Sequence, residues 1–120
     1  MGIGFVFPGQ GAQQVGMLDD LRATEPILND RLASASETLG FDLGEVIRNG
    51  PEERLNQTSV TQPALLAASI ALFEIWSARG GAAPTIMAGH SLGEYSAFTA
   101  AGSLRFNDAV KLVHERGKLM

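Results

Sequence analysis

Apolar residues along the chain gather into two short runs and several longer periodic stretches. Ile3-Gly4-Phe5-Val6-Phe7 has the β-branched and aromatic content of a strand buried on both faces, and Pro8 stops it. Thr85-Ile86-Met87-Ala88 reads as a second buried strand. Residues 17–39 follow a helical period that breaks near Thr24-Glu25-Pro26, because proline is accepted at a helix start but not inside one. In the second of these helices Ile27, Leu28, Leu32, Ala35 and Leu39 face a core, Asp30, Arg31 and Glu37 form a solvated face, and Gly40 ends the helix. Residues 41–61 are the least regular part. Gly44, Gly50 and Pro51 interrupt them, and a short helix with acids in its first turn is expected at 51–55.

Thr61 is expected to cap the next helix, with Pro63 in its first turn. That helix runs to Trp76 and ends at Gly80-Gly81. Its apolar residues lie nearly all round, which marks a central element packed on several sides. Its densest apolar part, 63–73, is too short to span a bilayer. Residues 94–101 can form another helix, and a last one begins after Gly102-Ser103-Leu104. There Phe106, Ala109, Val110, Leu112, Val113, Gly117, Leu119 and Met120 fill one half of the wheel; Asn107, Asp108, Lys111, His114, Glu115 and Lys118 fill the other. Arg116 breaks this pattern by falling among the apolar positions.

Composition narrows the classes of function. A length of 120 residues with 45% hydrophobic content suits one soluble domain. Nine basic and 13 acidic residues give a net charge of −4, with no Lys/Arg cluster, which argues against a nucleic-acid partner. Without cysteine there is neither a disulfide frame nor a thiolate metal site, and two histidines are too few for a histidine-based one. No basic leader precedes the first strand, and Val6 stands where a myristoylation signal wants Ser or Thr. The expectation is a soluble, cytoplasmic protein with no membrane partner.

Three features carry candidate chemistry. Gly89-His90-Ser91-Leu92-Gly93 lies between the second strand and a helix, the setting of a nucleophile elbow that lifts a serine oxygen clear of a sheet. The alternative is a glycine-rich turn with an idle serine. Gly9-Gln10-Gly11 can be simple loop punctuation, or it can let the Gln10 N–H approach an oxyanion. A dinucleotide site is disfavoured, since Gln14 occupies the place of the third glycine. The Arg116 guanidinium is costly among apolar neighbours unless paired. Either an internal acid such as Glu94 takes it, or it clamps an anionic substrate group. Gln62, at the mouth of the central helix, could also face a site.

Phe7-Pro8-Gly9-Gln10-Gly11, Thr61-Gln62-Pro63-Ala64, Gly89-His90-Ser91-Leu92-Gly93-Glu94 and Arg116-Gly117-Lys118-Leu119-Met120 occur in one order and spacing. In this the chain resembles the malonyl-CoA:acyl carrier protein transacylases of bacterial type II fatty-acid synthesis along its whole length. The resemblance implies an α/β fold, with residues 1–120 forming the N-terminal segment of an α/β-hydrolase-like large domain. It implies Ser91 as the nucleophile that takes malonyl from coenzyme A, and the Gln10 and Leu92 N–H groups as the oxyanion hole. Arg116 would hold the malonyl carboxylate and Gln62 would line the pocket. The phosphopantetheine thiol of acyl carrier protein would then accept the acyl group in a ping-pong reaction. No cofactor or metal is implied, malonyl-CoA being a substrate, and a monomer is expected at full length.

Members of that family are much longer. Their ferredoxin-like subdomain, further strands and a downstream histidine base fall outside these residues, so the chain alone is expected to be inactive. His90, beside Ser91 in the turn, and His114, on the polar half of its helix, are not obvious substitutes. Three readings compete: the acyltransferase of a polyketide or fatty-acid megasynthase, although a start at Met1 without a linker is expected of a stand-alone enzyme; a serine esterase, which would not need Arg116; and a non-catalytic interaction fragment.

Overall fold

A computed structural model describes residues 2–120. Two four-residue strands, β1 (Gly4–Phe7) and β2 (Ile86–Gly89), pair in parallel, with Phe7 opposite Gly89. Parallel neighbours need a long crossover. Here it is made of α1 (Asp19–Arg22), α2 (Pro26–Leu39), α3 (Leu43–Asn49), α4 (Glu52–Leu55) and α5 (Thr58–Ala78). After β2 come α6 (Leu92–Ala100) and α7 (Phe106–Leu119). The architecture is α/β, as expected.

α5 is the hub, packed against α2, α6 and α7, with residues 60–71 buried without a break. The aromatic rings of Phe5 and Phe7 meet Phe73 on this helix, and Phe5 also meets Trp76. By length and composition α5 could cross a membrane, contrary to the shorter apolar run read from sequence. Yet 72% of its apolar window is buried inside the protein, so its hydrophobicity is used by the core.

Several expectations need correction. The strands are not buried on both faces: Val6 is 80% exposed, because helices cover only the side bearing Phe5 and Phe7. Thr61 does not cap α5. Gln57 occupies the N-cap position without a side-chain capping bond, and Thr61 lies inside, its hydroxyl within hydrogen-bonding reach of the Leu55 and Gln57 carbonyls. Pro63 is therefore past the first turn. α3 was not foreseen within 41–61; its cap is Asp42, whose side chain accepts the Glu45 N–H at 3.0 Å. Arg31 is not on a solvated face but makes a two-pronged ion pair with Glu74 (2.5 and 2.7 Å) and lies over the Phe106 ring. The bond to Glu74 raises its pKa above the ordinary arginine value. On α7, Leu112 and Leu119 are exposed rather than in the core, as is Met120 just after it, while His114 is half-buried.

Candidate active site

β2 delivers the chain into a sharp bend. Ser91 has φ 55° and ψ −113°, a backbone conformation that costs a non-glycine residue of order 1–3 kcal/mol. Neighbouring packing holds it there. A side chain on Gly89 would collide with the Gly93 backbone, and one on Gly93 with the Phe7 carbonyl. The glycines thus let strand, bend and α6 close on each other and on the end of β1. The Gly93 N–H donates to the His90 carbonyl at 3.0 Å, closing the turn, and Ser91 itself is exposed. This is the geometry of a serine raised on an elbow.

The Gln10 loop is drawn to the same place. A Cβ on Gly9 would stand 2.7 Å from the His90 carbonyl oxygen, and the Gln10 side chain donates to Thr58 Oγ1 at 3.4 Å. The backbone N–H groups of Gln10 and Leu92 donate to no acceptor among the described residues. Leu92 opens α6, where an N–H has no helical partner and the helix dipole favours an anion.

Arg116 supplies the charge. Its Nη2 donates to Ser91 Oγ at 3.2 Å and its Nη1 to Gln62 Oε1 at 2.9 Å. The guanidinium carbon lies 5.3 Å from the centre of the Tyr95 ring. Gln62 is wholly buried, and its Nε2 donates to Met120 Sδ at 3.1 Å. The alternative in which Glu94 neutralises Arg116 is not realised; Arg116 has no carboxylate partner among the described residues. The structure thus gathers Ser91, Arg116 and Gln62 by direct contact and sets the Gln10 loop beside the bend. Tyr95 was missed by the sequence reading, although its place four residues after Ser91 puts it on the same face of α6.

Neither histidine is hydrogen-bonded to Ser91. The His90 ring lies near Gly9, and His114 Nδ1 is engaged with the Ser59 carbonyl at 2.8 Å. No cluster of His, Asp and Glu able to hold a metal occurs among the described residues. A strained exposed serine, free backbone donors and an arginine without a carboxylate partner make a site suited to forming an acyl ester bearing an anion.

Residues 4–120 match the model of the acyl transferase domain. The malonyl CoA-acyl carrier protein transacylase of Escherichia coli K12 is 58% identical over 97% of the chain, which corresponds to 38% of that protein. An acyl carrier protein S-malonyltransferase from Vibrio cholerae superposes over 98% of the chain with a TM-score of 0.96 and 53% identity, covering 38% of that structure. A malonyl-transacylase solved in complex with a type II polyketide acyl-carrier protein gives a TM-score of 0.97 and 53% identity over 99% of the chain, again 38% of its partner in the comparison. The chain therefore spans well under half the length of these relatives.

Proposed function

The chain belongs to the acyl transferase domain family, and from that premise we propose that residues 1–120 are the N-terminal segment of the large domain of a cytoplasmic malonyl transferase working between coenzyme A and acyl carrier protein. Ser91 Oγ attacks the thioester carbonyl of malonyl-CoA while a base takes its proton. The carbon–sulfur bond breaks, coenzyme A leaves as the thiol carrying that proton, and malonyl remains as the Ser91 ester. The pantetheine thiol of the carrier protein then attacks the ester, and Ser91 recovers its hydroxyl. The Gln10 and Leu92 N–H groups receive the oxyanion in both halves.

One observation carries the substrate assignment: Arg116 stands 3.2 Å from Ser91 Oγ with no carboxylate partner among the described residues. In a malonyl ester the free carboxylate lies one methylene beyond the ester carbonyl, within reach of that guanidinium. Gln62 holds the other prong and so aims the fork. An ordinary esterase has no use for this cation, and a fragment using the motifs only for packing has no use for a strained, exposed serine. The base is the downstream histidine that the resemblance to malonyl transacylases implies; His90 and His114 are not hydrogen-bonded to Ser91. Carrier proteins of fatty-acid synthesis are the favoured acceptors. A polyketide carrier is the second reading, favoured by the likeness to the transacylase solved with such a protein.

The test is intact-mass analysis of the full-length protein mixed with malonyl-CoA. A malonyl adduct on the peptide bearing Ser91, discharged by holo acyl carrier protein, is expected. An unmodified Ser91 would reject the proposal.

A further inference from the structure

Pro63 creates a defect in α5. In an unbroken helix the Ser59 carbonyl accepts the N–H of the fourth residue onward, and at that position proline has none. An unpaired, partly buried carbonyl is costly. His114 repairs it: Nδ1 lies 2.8 Å from the Ser59 oxygen. A carbonyl oxygen can only accept, so Nδ1 must carry the proton. One turn further along α7, Gly117 lets the two backbones meet, for a Cβ there would fall 2.5 Å from Ser59 Cα and 2.7 Å from the Thr58 oxygen.

The repaired turn stands one helical step from Gln62, and Arg116 lies between His114 and Gly117 in the sequence. The bond that spans the two helices at Arg116–Gln62 is therefore flanked by the His114–Ser59 bond and by the Gly117 contact. We propose that His114 is a positioning residue for the acyl carboxylate: by donating the hydrogen bond that Pro63 cannot, it fixes the register of α7 on α5 and thus the aim of the Arg116 fork. This role rests on the malonyl function proposed above. His114 touches neither Ser91 nor the substrate in this account and acts only through Arg116 and Gln62.

Four variants of the full-length protein test this: His114→Ala, His114→Asn, Pro63→Ala and the double variant Pro63→Ala/His114→Ala. Loss of the partner of one partly buried carbonyl predicts that His114→Ala raises the KM for malonyl-CoA about five- to tenfold, with kcat little changed. A merely structural lesion would instead reduce the active fraction and hence apparent kcat. His114→Asn, which keeps a donor, should recover the wild-type KM. So should the double variant, because residue 63 then supplies its own N–H to Ser59. Nitrogen NMR of the wild-type imidazole should show the proton on Nδ1. An indifferent His114→Ala, a double variant no better than the single one, or a neutral ring protonated only on Nε2 would each overturn the role. Wild-type protein that takes up no malonyl would overturn the function itself, whereas normal wild-type loading with an indifferent His114→Ala removes this role alone.

Discussion

Replacing Arg116 by alanine removes the cation that, among the described residues, touches Ser91, and the consequence can be worked from its contacts. The guanidinium can give a substrate carboxylate two charge-assisted hydrogen bonds, each contributing about 1.5–3 kcal/mol. Arg116 is half-buried rather than enclosed, so the lower end applies, roughly 3 kcal/mol or two powers of ten in kcat/KM. The substitution also strips the wholly buried Gln62 of its Oε1 partner, at a cost of about 1–3 kcal/mol to the protein. That second cost falls on every substrate alike. The informative quantity is therefore the ratio of kcat/KM for malonyl-CoA to that for acetyl-CoA, followed by mass spectrometry of Ser91 loading. Arg116→Ala should reduce this ratio roughly a hundredfold. Arg116→Lys should fall between, because an ammonium can meet the carboxylate or Gln62 but lacks the planar fork that meets both. A ratio unchanged in Arg116→Ala would refute carboxylate recognition by this residue, even if overall activity had dropped.

Two further predictions concern packing. Gly117→Ala should destabilise the full-length protein by about 1–3 kcal/mol in urea unfolding, since its methyl would press on the Ser59 and Thr58 backbone; a gain in stability, as helix propensity alone would give, would show that the two helices are not in contact there. Ser96 is fully buried in α6 and its hydroxyl has no hydrogen-bond partner among the described residues, so Ser96→Ala should stabilise by about 0.5–1 kcal/mol; a marked loss in the same assay would mean that the hydroxyl is paired.

The parts of this molecule that could be read from sequence are those whose constraint is local. The elbow is written in three residues, Gly89, Ser91 and Gly93; the crowding at Gly89 arises within the turn itself, whereas that at Gly93 comes from the end of β1 and is visible in sequence only as the glycine it demands. The anomaly of Arg116 was legible because a cation breaks an apolar period, although the period could not say what the cation meets. What escaped reading depends on distant partners. Arg31 looked like a surface charge because its partner, Glu74, is 43 residues away. Gly44 looked like a breaker, yet it lies inside α3, where its carbonyl accepts from Arg22 Nη1 at 2.9 Å, 22 residues distant. The start of α5 was misplaced for a similar reason. Pro63 lies past the first turn, and the Ser59 carbonyl that it leaves without a helical donor meets His114, 55 residues along the chain.

This division has a consequence for how the site can change. The serine and the Leu92 N–H are set by the bend between β2 and α6 and the Gln10 N–H by the loop after β1, whereas the guanidinium is set by where α7 crosses α5. The two meet through the 3.2 Å bond from Arg116 to Ser91 and through the Tyr95 ring, 5.3 Å from the guanidinium carbon. Substitutions at the crossing can therefore move the cation while the strained turn stays intact, because the glycine contacts that hold the turn involve Phe7, Gly89 and Gly93 and no residue of α7. Under the proposed function, ester formation and the choice of acyl group would thus rest on largely separate packing interactions, and changes along the α5–α7 contact should alter which acyl group is selected before they abolish the nucleophile.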